Sequence, residues 1–281
     1  MCQLPFLKQL VVVGFLVGLS GCALFTKPDD SSSDPSRETV GRLPDRITRD
    51  TIQLEVLLLD RPAKDPLLGR ILWDDVDEIG AVELDVRERL NANGFRIGVA
   101  GTSIPQALQT IIESSRKGLT FLPEDDRRLS SQAPINLVAG TDTLVQTAMA
   151  ENRLILIEGN DELGDYENAM CAFRIKANRL QDGWARLEFT PEIHHGENAL
   201  RHHANEVGWE MRASQDVEPL YEQRFEIMLN VGETAVISCG SPKDDSPGQH
   251  FFKTNKGEQR LMIVRLTELG SVEGVSQRVG R

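Results

Sequence analysis

Aromatic side chains, cysteine and positive charge are all scarce in this sequence of 281 residues. Phe, Trp and Tyr make up 5% of the chain, so we expect the core to be built mainly from Leu, Ile and Val. Lys and Arg number 31 against 43 Asp and Glu, and the net charge of -12 argues against nucleic acid as a partner. With 40% hydrophobic and 26% charged residues, the composition excludes a wholly disordered or collagen-like chain.

Known catalytic motifs are missing as well. The sequence contains no Gly-x-Ser-x-Gly elbow, no His-Glu-x-x-His pair, no Cys-x-x-Cys and no Gly-rich phosphate loop. We therefore predict a non-enzymatic protein without a cofactor.

Long hydrophobic runs are also lacking, and the N-terminal apolar run is short. Lys8 precedes the apolar residues Leu10–Gly18, which are too few to span roughly 30 Å of hydrocarbon at about 1.5 Å per helical residue. This arrangement predicts a cleaved signal peptide over residues 1–21.

The segment Leu19-Ser20-Gly21-Cys22 resembles the lipobox of bacterial lipoproteins. The resemblance implies that Cys22 carries diacylglycerol and a further acyl chain such as palmitate, which would anchor the protein to a membrane without spanning it. Ala23, rather than Asp, follows the cysteine, and the resemblance then implies delivery to the outer membrane, with the protein facing the periplasm. Residues 22–48 are rich in Ser, Asp and Pro and predict a flexible tether.

The remaining chain predicts an α+β fold, in which a mixed α/β unit over residues 49–123 comes first. Alternation and an apolar end predict a strand over Thr51–Asp60. Apolar residues from Leu72 to Leu90 recur at helical spacing, with a break expected at Gly80. A short strand over Phe95–Val99 and a helix from Pro105 to Gly118 complete the unit.

Residues 124–270 predict a β-rich domain with an antiparallel sheet or sandwich, followed by a flexible tail over residues 271–281. Phe225, Ile227 and Leu229 alternate with Glu226, Met228 and Asn230, and turn residues such as Gly183 and Gly232 separate the segments. The predicted strands are Ile135–Ala139, Arg153–Glu158, Cys171–Ala177, Ala185–Thr190, Trp209–Ala213, Arg224–Asn230, Ala235–Ser238 and Leu261–Thr267.

Two cysteines, Cys171 and Cys239, remain as thiols if the signal peptide is removed and Cys22 is acylated. In an oxidising compartment they could form a disulfide, which the chain-entropy model would value at roughly 4 kcal/mol. The alternative is two separately buried thiols that behave as small hydrophobic side chains.

Four of the five histidines fall within ten residues, at His194, His195, His202 and His203. Imidazoles on opposing arms of a hairpin could bind zinc or copper, which would favour a metal-dependent envelope enzyme. Neighbouring residues of an extended strand point to opposite faces, however, so one histidine of each pair at most could contribute. The alternative is a solvated polar loop between two strands.

From Cys171 to Leu269, the order of features is similar to the C-terminal core of secretins, the outer-membrane channels of bacterial secretion systems. The similarity rests on the strand Gly183–Ile193 with its Thr190-Pro191 step, the strands and turn over residues 225–238, and the last strand Leu261–Thr267. The sequence departs from the family at Cys239–Pro242, where secretins usually carry Gly-Gly-Leu. The resemblance implies an envelope channel or a channel-assembly component.

The sequence thus favours a lipid-anchored cell-envelope protein with a structural or interaction role. Its expected partners are the membrane, through lipidated Cys22, and envelope proteins or further copies of itself. A secretin-like channel and a metal-dependent enzyme remain the alternatives.

Overall fold

The computed structural model describes residues 47–119, 133–149, 153–158, 161–205, 208–240, 246–254 and 256–274. The predicted signal peptide, Cys22, nearly all of the predicted tether and the end of the predicted tail lie outside the described residues.

Strands dominate the described residues, and the chain has a β-rich α+β fold. The strands are β1 (Ile47–Pro62), β2 (Phe95–Ala100), β3 (Ala133–Val138), β4 (Asp142–Met149), β5 (Arg153–Glu158), β6 (Asp161–Glu167), β7 (Met170–Gln181), β8 (Trp184–Asn205), β9 (Gly208–Pro219), β10 (Phe225–Asn230), β11 (Thr234–Cys239) and β12 (Glu258–Gly274). The α-helices are α1 (Arg70–Asp74), α2 (Leu84–Ala92), α3 (Gln106–Leu119) and α4 (Pro247–Phe252), with short 3₁₀ turns at Pro66–Leu68 and Tyr221–Gln223.

The first sheet has the strand order β2-β11-β12-β1-β3, with antiparallel neighbours throughout. Its longest pairing joins β1 to β12, from Ile47 opposite Gly274 to Pro62 opposite Glu258, with a register shift after Gln53. Two strands from opposite ends of the folded region therefore lie side by side at the centre of this sheet.

Both faces of the first sheet are covered. Leu54, Val56 and Leu58 of β1 belong to the main core shared with the second sheet, whereas Leu57 and Leu59 pack with α1 and α3. Successive side chains of a strand point to opposite faces, so a strand buried on both sides needs a continuous apolar run. This explains the three consecutive leucines of β1 at residues 57–59.

The second sheet has the order β10-β8-β7-β4, and β9 pairs with the later half of β8. The 22-residue β8 pairs with two strands along one edge: residues 184–189 pair with β10, and residues 192–205 pair with β9. In β10 the predicted alternation is confirmed: Phe225, Ile227 and Leu229 are buried, while Glu226 and Met228 are exposed.

Phenylalanine fills the centre of the core between the sheets, although aromatic residues are few. Phe173 of β7 lies at the middle of this group, with its ring centroid 5.2 Å from that of Phe251 and 6.1 Å from that of Phe95. Six of the ten phenylalanines form the group: Phe95, Phe173, Phe189, Phe225, Phe251 and Phe252. The buried residues are mainly aliphatic, as expected, and the phenylalanine group adds an aromatic centre.

Arg260 of β12 ties the two sheets together. Its guanidinium donates two hydrogen bonds to the carboxylate of Asp60, at 2.5 Å from Nε and 2.6 Å from Nη2. The remaining terminal nitrogen, Nη1, donates to the carbonyl oxygen of Thr147 on β4 of the second sheet. The arginine is 9% exposed, so these bonds satisfy a nearly buried charge.

The predicted boundary near residue 123 does not separate two sheets. Strands β1 and β2, from the expected α/β unit of residues 49–123, pair with β12 and β11 from the expected β-rich domain of residues 124–270. Hydrophobic patterning predicts single strands, but it carries no information about which distant strand becomes the neighbour. The predicted tail of residues 271–281 also begins within β12, which continues to Gly274.

The helix predicted from Leu72 to Leu90 is interrupted over nine residues, from 75 to 83. The Asp77 side chain accepts hydrogen bonds from the backbone N–H groups of Ile79 and Gly80, at 2.9 and 2.8 Å. The backbone of Asp77 also exchanges two hydrogen bonds with Val99 at the edge of the first sheet. These bonds replace the helical ones, so α1 and α2 are separate helices.

Candidate functional site

A cleft of about 600 Å³ lies between α3 and the helix-facing surface of the first sheet. Its walls come from α3 and from residues 102–104, which precede that helix, and its floor comes from β1, β11 and β12.

The floor of the cleft carries a polar row that crosses three strands. Arg265 of β12 lies opposite Glu55 of β1 on one side and opposite Thr234 of β11 on the other. One row further along, Leu57 and Ile263 continue the same face as an apolar floor. The strand register thus places a cation, a carboxylate and a hydroxyl next to hydrophobic surface.

Thr234 has an unusual environment. Its side chain lines the cleft, the residue is 1% exposed, and Oγ1 has no hydrogen-bond partner among the described residues. An unsatisfied buried hydroxyl costs about 1–3 kcal/mol, so such groups are uncommon in native structures.

The turn before β11 positions Arg265. Gly232 adopts a φ of +94°, and its carbonyl oxygen accepts a hydrogen bond of 3.3 Å from Nε of Arg265. A side chain at Gly232 would be strained at this φ and would have its Cβ 3.3 Å from Cγ2 of Thr102 on the cleft wall. Glycine therefore permits both the turn and the close approach of the two loops.

The helical wall combines apolar and acidic side chains. Leu108 and Ile112 face the cleft from α3, and Glu113 lies on the same wall. The Glu113 carboxylate accepts a hydrogen bond of 3.1 Å from the Gln109 side chain. Glu113, Glu55 and Arg265 together give the lining two acidic groups and one basic group.

A second polar cluster lies on the outer face of the second sheet. Arg174 of β7 donates to Glu192 of β8 at 2.5 and 2.9 Å, and to Asp142 of β4 at 2.5 Å. His194 shares Glu192, with Nε2 lying 3.0 Å from Oε2. The hydrogen bond to Glu192 is the main cause that raises the pKa of Arg174 above its ordinary value. Because the Glu192 side chain is only 4% exposed, we explain this cluster as the satisfaction of a buried carboxylate.

The histidine segment is part of a strand and not the solvated loop that was the simpler interpretation. His194, His195, His202 and His203 all lie within β8, which has a register shift against β9 between His195 and Ala199. The His195 ring lies 4.9 Å from the Tyr166 ring, whereas His194 contacts Glu192. The two neighbours therefore do not face a common centre.

The side chains of His202 and His203, two of the four histidines considered as metal ligands, lie outside the described residues. Among the described side chains, no group of three or more His, Cys, Asp or Glu is arranged to hold a metal ion.

Cys171 and Cys239, for which the sequence left a disulfide and two separate thiols as alternatives, are both free and buried in this structure. Cys171 belongs to β7 of the second sheet and Cys239 to β11 of the first. Burial raises the pKa of Cys171 to about 12 and, opposed by Lys253, that of Cys239 to about 11. The alternative of two separately buried thiols describes this arrangement.

The sequence analysis did not predict any of the residues that line the cleft as site residues. Glu55 is the single charge within residues 52–59 and Arg265 the single charge within residues 261–266, two largely apolar stretches, and this pattern is the signal that could have identified them. Two acidic residues that follow α1 have structural roles. Asp77 forms a turn, and Glu78 binds Arg96 through two hydrogen bonds of 2.8 and 2.7 Å.

No protein-family model, curated protein or solved structure matches this chain.

Proposed function

We propose that the chain is a lipid-anchored cell-envelope protein with a non-enzymatic interaction role, attached to the outer membrane through Cys22 and facing the periplasm. The observation that carries the proposal is the Leu19–Cys22 lipobox, which follows directly after the apolar run Leu10–Gly18. Each buried methylene of an acyl chain contributes about 0.8 kcal/mol, so two or more chains would give stable attachment.

The position of the folded region fits a tethered domain. Strand β1 begins at Ile47, next to the predicted end of the tether at residue 48. A flexible segment of this length would hold the domain roughly 25–30 Å from the lipid. Among the described residues, no helix is long and apolar enough to cross a membrane.

The cleft supports a role in binding. Ligand sites are concave, largely apolar and supplied with a few polar groups that fix orientation. In the cleft, Leu57 and Ile263 provide apolar surface, and Arg265 and Thr234 provide the polar groups.

Acylation of Cys22 is tested with an alkyne-bearing palmitate analogue, fed to bacteria that express the full chain and possess an outer membrane. We expect the wild-type protein to carry the label and to sediment with outer membranes. Cys22→Ser should lose the label, whereas the matched control Cys171→Ser should keep it. An unlabelled wild-type protein, or a labelled Cys22→Ser variant, would contradict the proposal.

The direction of sorting provides a second test. Placing aspartate directly after the lipidated cysteine, as in Ala23→Asp, should move the labelled protein to inner-membrane fractions of a density gradient. Ala23→Ser is the control and should leave it in the outer membrane.

A secretin-like channel is the second candidate, and the observation that favours it is the order of features from Cys171 to Leu269. Light scattering on the acylated, detergent-solubilised chain separates the two proposals: a ring-sized assembly favours the channel, whereas a monomer favours the interaction protein. Elemental analysis of the same sample tests the metal-dependent enzyme, which requires stoichiometric zinc or copper at the histidines.

A further inference from the structure

We propose that the cleft binds a zwitterionic ligand of short-peptide size. Its carboxylate is held by Arg265 and Thr234, its ammonium group faces the acidic wall that includes Glu113, and its apolar side chains pack on Leu57 and Ile263. This inference names the ligand class for the binding role proposed above and rests on that role.

The buried hydroxyl of Thr234 is the first support. Thr234 is one of the residues that line the cleft and is 1% exposed, and its Oγ1 is buried without a partner among the described residues. A hydroxyl both donates and accepts, so a ligand oxygen within reach would remove the cost of leaving it unsatisfied.

Arg265 provides the second support, since it is the direct cross-strand neighbour of Thr234. Within the described part of the chain, Nε of Arg265 donates a hydrogen bond of 3.3 Å to the carbonyl oxygen of Gly232. That bond orients the guanidinium and leaves its two terminal nitrogens for a ligand. A planar guanidinium can donate two parallel hydrogen bonds to one carboxylate, and the adjacent hydroxyl can supply a third.

The charge balance of the lining favours a ligand with both signs. Arg265 and Glu113 place charges of opposite sign in the lining of the cleft. A purely anionic ligand would gain the guanidinium but would also meet the Glu113 carboxylate. A zwitterion instead places its ammonium group toward the acidic wall, and complementary placement of this kind sets specificity.

The size and apolar surface of the cleft limit the rest of the ligand. About 600 Å³ lies within the usual range for small-molecule sites of about 300–1,000 Å³ and suits about two to three amino-acid residues. Leu57 and Ile263 on the floor and Leu108 and Ile112 on α3 offer contact to aliphatic side chains. A dipeptide with two leucines combines all the required groups.

The experiment is calorimetric titration of the acylated, detergent-solubilised full chain with three probes: Leu-Leu, N-acetyl-Leu-Leu and Leu-Leu amide. We expect Leu-Leu to bind, and each capped form to bind at least tenfold more weakly, because each lacks one of the two charges. Similar affinities for all three probes, or no heat with Leu-Leu, would overturn the proposal.

Variants assign the charges to side chains. Arg265→Gln should weaken Leu-Leu binding at least tenfold, and the nearly isosteric Thr234→Val should weaken it about fivefold. Glu113→Gln should weaken Leu-Leu and the amide but leave N-acetyl-Leu-Leu unchanged. Arg186→Gln is the matched control, because Arg186 is also a strand arginine beside a glutamate, and its variant should bind as the wild type does.

A blocking variant keeps the test decisive if Arg265→Gln does not fold. Ile112→Trp retains every polar group and fills the cleft from α3, so Leu-Leu binding should be lost while the circular dichroism spectrum is unchanged. Binding that survives this substitution would place the ligand elsewhere and overturn the proposal. Palmitate labelling at Cys22 is independent of these titrations, so a failed anchor and a wrong ligand class give different results.

Discussion

Replacing Arg260 by methionine is expected to lower the free energy of unfolding by about 3 kcal/mol. The arginine is 9% exposed, bonds to both carboxylate oxygens of Asp60 and reaches the carbonyl of Thr147 on the other sheet. Methionine keeps much of the aliphatic volume of the arginine side chain, so the loss of stability would come from the missing hydrogen bonds and ion pair and not from a cavity.

The magnitude follows from what the substitution leaves behind. Breaking one partner of a buried ion pair costs about 3–5 kcal/mol, because the remaining charge stays uncompensated. The Asp60 side chain is 29% exposed and regains some hydration, which places the expected value at the lower end. Loss of the donor to Thr147 adds to this cost and weakens the link between the sheets.

Urea denaturation of the wild type and the variant measures the difference. A slope near 3 kcal/mol/M, the upper end for small domains, converts 3 kcal/mol into a midpoint shift of about 1 M. Arg70→Met is the control: its ion pair with Asp74 has side-chain exposures of 90% and 61%, and its removal should leave the midpoint nearly unchanged.

A double variant tests the reasoning itself. Adding Asp60→Leu to Arg260→Met removes the uncompensated carboxylate, so the pair should lose at least 1 kcal/mol less than the sum of the single variants. Strict additivity in the double variant would refute the uncompensated Asp60 carboxylate as the cause of the loss. A loss below about 1 kcal/mol for Arg260→Met would refute a stabilising role for the bonds of Arg260 as a whole.

Two further predictions concern the core. Phe173→Ala removes a fully buried ring that contacts five other phenylalanines. In a urea titration this substitution should lower the free energy of unfolding by about 3–5 kcal/mol. The control Tyr221→Ala changes an exposed residue and should lower it by less than about 0.5 kcal/mol. Because the pKa values of Cys171 and Cys239 are raised to about 12 and about 11, the folded state keeps both thiol protons at pH values where the unfolded chain loses them. The free energy of unfolding should therefore fall as pH rises above about 9, by up to about 1.4 kcal/mol per pH unit for each thiol. If a variant with both Cys171→Ala and Cys239→Ala shows the same pH dependence, the thiols are not its cause.

Local patterns predicted most of the individual strands. The alternation in Phe225–Asn230 and the apolar run before Pro62 both correspond to strands, because side-chain period and burial are properties of short segments. The same local logic failed between Leu72 and Leu90. There the side chain of Asp77 and a bridge to Val99 compete with helical hydrogen bonds, and the spacing of apolar residues does not reveal such a bridge.

The histidine cluster shows the reverse situation. Proximity along the chain suggested a shared site, yet His194 and His195 have different partners, Glu192 and Tyr166. The side chains of adjacent residues in a strand point to opposite faces of the sheet, so His194 and His195 cannot both contribute to one site.

By itself, the sequence determined the lipobox expectation at Cys22, the acidic charge and the β-rich character of the chain, because each depends on composition or on short-range spacing. Only the tertiary structure decided that β1 and β12 are partners and that Glu55, Arg265 and Thr234 form one row beneath α3. Strand pairing depends on contacts between segments separated by up to about two hundred residues, whose free energy is decided by packing over the whole core and not by any local pattern.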